Sequence, residues 1–267
     1  LALHPQKCRL SWPGRCYDAL AFLTRLVPPR RDCTGHDLGR CLPFYGLAGL
    51  CIGLTLTLPC VSVYFLLRQT PEANLVLCAA LAAWLWMGLE VWATRGLHWD
   101  GLADLGDACG SGAPGERFWS ILRDSRLGAF GALHLLLAFG GMWLALCWHI
   151  HAGQWLCLVT APAWGRACAL WLAASAEPRE PQSLGGLTCA GASPALARGY
   201  ALGALLLLCL LFFTGQITLW QAPLTVCGQY VLIRRMAALA RDRGGVNGDF
   251  LGAAIQWGQL WFLLATV

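Results

Sequence analysis

Three carboxylates and an imidazole stand within ten residues of one another in the stretch Gly96-Leu97-His98-Trp99-Asp100-Gly101-Leu102-Ala103-Asp104-Leu105-Gly106-Asp107. At 100° per residue, Asp104 is turned about 40° from Asp100 and Asp107 about −20°, so a helical run puts all three acids on one narrow face. Like charges that close repel, and each favours protonation of its neighbours. A divalent cation removes that conflict. Mg²⁺ takes oxygen ligands, keeps several waters and bridges carboxylates to substrate phosphates. The stretch therefore reads as a metal site, or as a solvated acidic loop whose glycines let the chain turn. His98 reads as a base, a ligand, a phosphate donor or a structural side chain.

Two further clusters carry both signs of charge. Arg123-Asp124-Ser125-Arg126 precedes an apolar run; its arginines suit bidentate binding of phosphate oxygens, and Asp124 is a further candidate metal ligand. Arg241-Asp242-Arg243-Gly244-Gly245-Val246-Asn247-Gly248-Asp249 joins basic charge, a glycine-rich loop and a carboxylate at a predicted helix start. Each also reads as a basic membrane anchor followed by a helix cap. Carboxylates for a cation beside arginines for an anion point to phosphoryl transfer, where both offset charge spread over the phosphoryl oxygens.

The elements that must position these residues are apolar. The chain is 57% hydrophobic and 12% charged, with a mean hydropathy of +0.56. A soluble domain carries about 25% charged residues. The composition argues against a water-soluble domain and for an all-α bundle in lipid. The fourteen cysteines are scattered, with no Cys-x-x-Cys pair, and most read as small apolar residues; Cys33 and His36 are the nearest thing to a ligand pair. The first residues show no secretory signal pattern. Instead Ala19, Leu20, Phe22, Leu23, Leu26 and Val27 recur at helical spacing beside Arg15 and Arg25, as in a helix lying in the membrane interface or packed on the protein. Residues 1–40 form this N-terminal segment, and residues 1–267 read as one transmembrane domain.

Apolar runs predict spans over 42–67, 73–94, 127–148 and 155–174, and over 250–267. The run 201–233 is about 50 Å long as a helix, too long for one crossing. Gln216, Trp220, Gln221 and Pro223 mark its break, which gives seven helices. Apart from Arg68 and Arg166, every lysine and arginine then falls before the first helix or in alternate loops. The positive-inside rule places that side, with the acidic stretch, in the cytoplasm, and the N-terminus with it.

The motif residues resemble one family. "GLHWDGLADLGDACGSG" followed by "ERFWSILRDSRLGAFGAL" resembles the cobalamin-5′-phosphate synthase family, also called adenosylcobinamide-GDP ribazoletransferase. "FLTRLVPP", "FYGLAGLCIG" and "GGVNGDFLGAAIQWGQL" are similar to its N-terminal, first-helix and C-terminal segments. The resemblance implies a multi-pass enzyme of the bacterial inner membrane, late in vitamin B12 assembly. Such enzymes join adenosylcobinamide-GDP to α-ribazole or its 5′-phosphate and release GMP, with Mg²⁺ as cofactor. It assigns Asp100, Asp104, Asp107, Asp124 and Asp249 as the motif acids, with His98, Ser125, Arg123 and Arg126 in the same stretches. Gly46 stands where the family's proline is expected, Arg95 where a glycine is usual, and "AEPREPQSLGG" fits only loosely.

On this reading Asp100, Asp104, Asp124 and Asp249 hold the metal. Arg123, Ser125, Arg126 and Arg243 bind substrate phosphate, and Asp107 or His98 takes a proton from the attacking hydroxyl. The lipid bilayer is a partner and nucleic acid is not; the oligomeric state stays open. Two other readings compete. A CDP-alcohol phosphotransferase also sets paired aspartates at helix ends, but the Ala-Arg of its Asp-Gly-x-x-Ala-Arg pattern is absent here. An ion or solute transporter would line a pathway with intramembrane acids, whereas these acids gather at one face.

Overall fold

The computed structural model describes residues 12–30, 38–70 and 72–267; Cys33 and His36 lie outside the described residues. Among the described residues twelve α-helices follow in order: α1 (Trp12–Leu23), α2 (Leu38–Cys41), α3 (Tyr45–Leu67), α4 (Leu75–Thr94), α5 (Leu97–Gly110), α6 (Gly115–Leu122), α7 (Ala129–Ala152), α8 (Trp155–Ala173), α9 (Leu184–Cys189), α10 (Pro194–Phe213), α11 (Gln221–Asp242) and α12 (Gly248–Ala265). Among the described residues there is no strand, only an isolated bridge between Pro178 and Val246. The helix starts are legible in local chemistry. Asn74 Oδ1 accepts the Val76 and Leu77 amides, Ser193 Oγ accepts Leu196 N beside Pro194, and Asn247 Oδ1 accepts Phe250 N. Each side chain satisfies amides that have no partner within the helix.

Five described stretches are long and apolar enough to cross a membrane: Leu38–Leu67, Leu75–Thr94, Ala129–Ala152, Trp155–Ala173 and Pro194–Phe213. The break expected near residues 216–223 falls between α10 and α11. The sixth and seventh expected spans, α11 and α12, are helices that fall outside that set. Their composition explains it. α11 carries Gln221, Gln229, Arg234 and Arg235, and α12 carries Gln256 and Gln259. α12 is buried along most of its length, packed against α5, α7, α8 and α11, so its surroundings are protein on nearly every side.

α3 and α8 cross closely. Gly49 and Gly53, four residues apart, face the α8 backbone at Pro162–Ala163 and at Val159, and an added methyl at either would collide with it. Without a hydrophobic drive between helices in lipid, such backbone approach is what lets van der Waals contact hold a pair together. α10 is the opposite case. Leu208 and Leu211 are its only buried residues, and its outer face is leucine and phenylalanine. It is tethered near its start, where the Tyr200 hydroxyl accepts Gly46 N at 2.8 Å and donates to Pro43 O at 3.1 Å.

Candidate functional site

The acidic helix is set by a sharp turn. Arg95 (φ 60°) and Gly96 (φ 68°) are both left-handed; they end α4 and start α5 in a new direction. Arg95 is the one described non-glycine residue with positive φ. Its guanidinium donates to Phe22 O at 2.9 Å, and Arg25 N donates to Ala93 O at 2.8 Å, so the exit of α1 clamps the end of α4. α5 then crosses the start of α12 at Gly101. A Cβ there would lie 2.9 Å from Asp249 Cα, so glycine permits the approach. Asp249 stands in the first turn of α12 with its Oδ2 accepting from Asn247 Nδ2 at 2.7 Å.

The result is a cavity of about 1130 Å³ bordered by Asp100, Asp104 and Asp249, with Arg95, His98 and Ser125 also on its wall. Partial burial, and then the charges of Asp100, Asp249 and Asp107, push the Asp104 carboxyl up to about 7. His98 is 2% exposed, and both its ring nitrogens are enclosed without a partner. Burial first, then the positive charges of Arg166 and Arg95, hold its pKa well below the usual range, so the ring is neutral. The rest of the wall is largely apolar, with Phe22, Leu23, Leu135, Phe139 and Ile255 contributing. Among the described residues, no three histidine, cysteine or acidic side chains stand close enough to hold a metal ion by themselves. Asp100 and Asp104, one turn apart, with Asp249 opposite, fit a cation that keeps its waters and completes its shell with substrate oxygens.

The other sequence-predicted residues are placed differently. Asp107 reaches the start of α7, where its two oxygens accept Gly128 N at 2.7 Å and Gly131 N at 2.8 Å. It is a helix cap supplied from a neighbouring helix, and its oxygens are taken up by amides rather than turned to the cavity. Asp124 is half-buried and paired bidentately with Arg126, the shortest contact being 2.6 Å. The Arg126 guanidinium and amide hold that carboxyl down at about 2. Arg123 pairs with Glu180 at 2.8 Å. Arg243 donates to Ala113 O at 3.1 Å and lies over the Phe118 ring. Together with the Pro178–Val246 bridge, these contacts gather the loops after α5, α8 and α11 at one end of the bundle. Of the predicted phosphate-binding set, Ser125 reaches the cavity wall, and the three arginines stand outside it in these contacts. Arg95 is on the wall, and sequence reasoning did not select it. The signal was its place between an apolar run and the acidic motif, where a left-handed turn is needed.

The amino-acid sequence matches known proteins along most of its length. The family model described as cobalamin-5-phosphate synthase matches residues 15–267. An adenosylcobinamide-GDP ribazoletransferase from Nitratidesulfovibrio vulgaris (strain DP4) is 43% identical over 237 residues, covering 89% of this chain and 90% of that protein. A protein of the same name from Ectopseudomonas mendocina (strain ymp) is 36% identical over 92% of this chain and 96% of its own length. Another, from Sinorhizobium medicae (strain WSM419), is 32% identical over 89% and 90%. No solved structure matches the chain.

Proposed function

The chain belongs to the cobalamin-5-phosphate synthase family, and from that premise we propose that it is the transferase that moves the cobinamide-phosphate group of adenosylcobinamide-GDP onto α-ribazole or its 5′-phosphate, with Mg²⁺ bound. The single observation that carries the reading is the convergence of Asp100, Asp104 and Asp249 on one cavity. In the reaction the ribose 3′-hydroxyl oxygen forms a bond to the cobinamide-side phosphorus, the bond from that phosphorus to the bridging oxygen breaks, and GMP leaves. Mg²⁺ held by Asp100 and Asp104 would supply charge neutralisation at the diphosphate oxygens.

The chain's own groups divide the remaining work. Asp249, with Oδ2 steadied by Asn247, takes the hydroxyl proton at Oδ1. Asp107 is occupied by two amides and the nitrogens of His98 are enclosed, which argues against either as the base. Arg95 and Ser125 bind phosphate oxygens from the wall. Arg123 and Arg126 flank Ser125 in exposed ion pairs, which are worth about 0–1 kcal/mol and are readily exchanged for a phosphate. The long apolar wall holds the bulkier part of a substrate and excludes water. The protein sits in the bacterial inner membrane with the cavity at the cytoplasmic face, and α11 and α12 complete seven crossings. The support is the gathering of the basic loops at one end of the bundle.

Purified protein incubated with adenosylcobinamide-GDP, α-ribazole and Mg²⁺ is expected to release GMP. Asp104→Asn is expected to lower that rate by about 10³-fold or more while the protein stays folded, because the charge it removes acts on the reacting diphosphate. GMP release at the wild-type rate by this variant would take Asp104 out of the site.

A further inference from the structure

Glu90, Arg166, Gln256 and Gln259 meet where α4, α8 and α12 pack together, each no more than 1% exposed. Gln259 joins the two charges: its Nε2 donates to Glu90 Oε1 at 2.8 Å, and its Oε1 accepts from Arg166 Nη1 at 3.2 Å. The rest of the cluster is unsatisfied. Glu90 Oε2, Arg166 Nε and Nη2, both polar atoms of the Gln256 amide and the Trp99 indole Nε1 are enclosed without a protein partner. Trp99 and Gln256 stand around the Glu90 carboxylate, with the Arg166 charge beside it. Orphaned polar atoms are expensive in the core of a membrane bundle and are normally paired with protein or ordered water. A buried water needs two to four polar partners, and this cluster offers them.

Trp99 connects the cluster to the cavity. It stands in the first turn of α5, next to Asp100, with its ring packed on Phe139 at 4.1 Å between centroids. Both rings border the cavity. We propose that Glu90 is a positioning residue: through enclosed water it holds the Trp99 indole N–H, and with it the first turn of α5, so that Asp100 stands correctly opposite Asp249. Gln259, bonded to both Glu90 and Arg166, fixes the direction in which the Glu90 carboxyl faces that water. This inference rests on the reading of the cavity as the transfer site. It assigns the buried charges a task beyond holding helices together.

Removing one charge alone would strand the other in the core, so the pair is removed together. E90L/R166M leaves the buried Gln259 amide without its two partners, so it is expected to fold with a lowered melting temperature. Its kcat for GMP release is expected to fall about ten- to hundredfold, with KM for adenosylcobinamide-GDP within about threefold, as for a small misplacement of a reacting group. W99F keeps an aromatic ring against Phe139 and loses the N–H. It is expected to show the same split, and the triple variant to be no worse than either parent. Density maps that resolve water should show one between Glu90 and Trp99 in the wild type. In E90L/R166M it should be gone and the Asp100 carboxylate shifted. Wild-type kcat in W99F or in folded E90L/R166M overturns the proposal, as does a dry cluster in the wild-type map. If the wild type itself releases no GMP, the transfer reading fails, and the two maps alone decide whether Glu90 positions Asp100.

Discussion

At the scale of single residues, Asp104 concentrates the electrostatics of the cavity. Its folded pKa of about 7 lies above the ordinary carboxylate value, so the folded protein binds more protons than the unfolded chain between about pH 4 and 7. The stability this group contributes is present below that window and is lost as pH rises through 7. Thermal unfolding in the presence of a chelator should therefore move to lower temperature between pH 5 and 8. Added Mg²⁺ should reverse the shift, and Asp104→Asn should flatten it. Asp107 carries a different expectation. Asp107→Ala strips α7 of a charged cap and should cost about 1–2 kcal/mol, read from chemical denaturation monitored by circular dichroism. The acids were legible in the sequence because i, i+4 and i+7 spacing sets their shared face. Their separate duties were not, since Asp107 faces α7 only once tertiary packing has brought Gly128 alongside. The pairing of the arginines was hidden for the same reason: partners such as Glu180 for Arg123 are remote in sequence.

At the scale of elements, the apolar runs and the break before Gln221 were visible from hydropathy and from glutamine and proline placement. The turn at Arg95 and Gly96 was less so, because arginine seldom occupies left-handed backbone and only the glycine announces it. The short helices α6 and α9 escaped notice, since eight and six residues carry too little periodicity. The α3–α8 crossing offers the sharpest test. Gly53→Val puts a branched side chain into the Val159 backbone, and the two helices cannot stay at this distance. Yield of monodisperse protein in mild detergent should fall at least about tenfold, while Gly203→Val, at an open position on α10, should leave it unchanged.

At the scale of the whole molecule, the loops after α5, α8 and α11 share one end, and the acidic cavity is bordered by Ser125 after α6, by Leu184 and Gly185 of α9 and by Gly248 and Asp249 at the start of α12. In a background lacking other cysteines, exposed Cys109 should react with a membrane-impermeant maleimide in inverted vesicles and not in right-side-out ones. The reverse pattern would turn the bundle over. The Gly46–Tyr200 tether has a bearing on how this lineage diverges. A proline at position 46 has no amide hydrogen to offer, so the tyrosine and the glycine have reason to be gained and lost together. A homologue with proline there is expected to fasten its counterpart of α10 by some other means, leaving the tyrosine position free to drift.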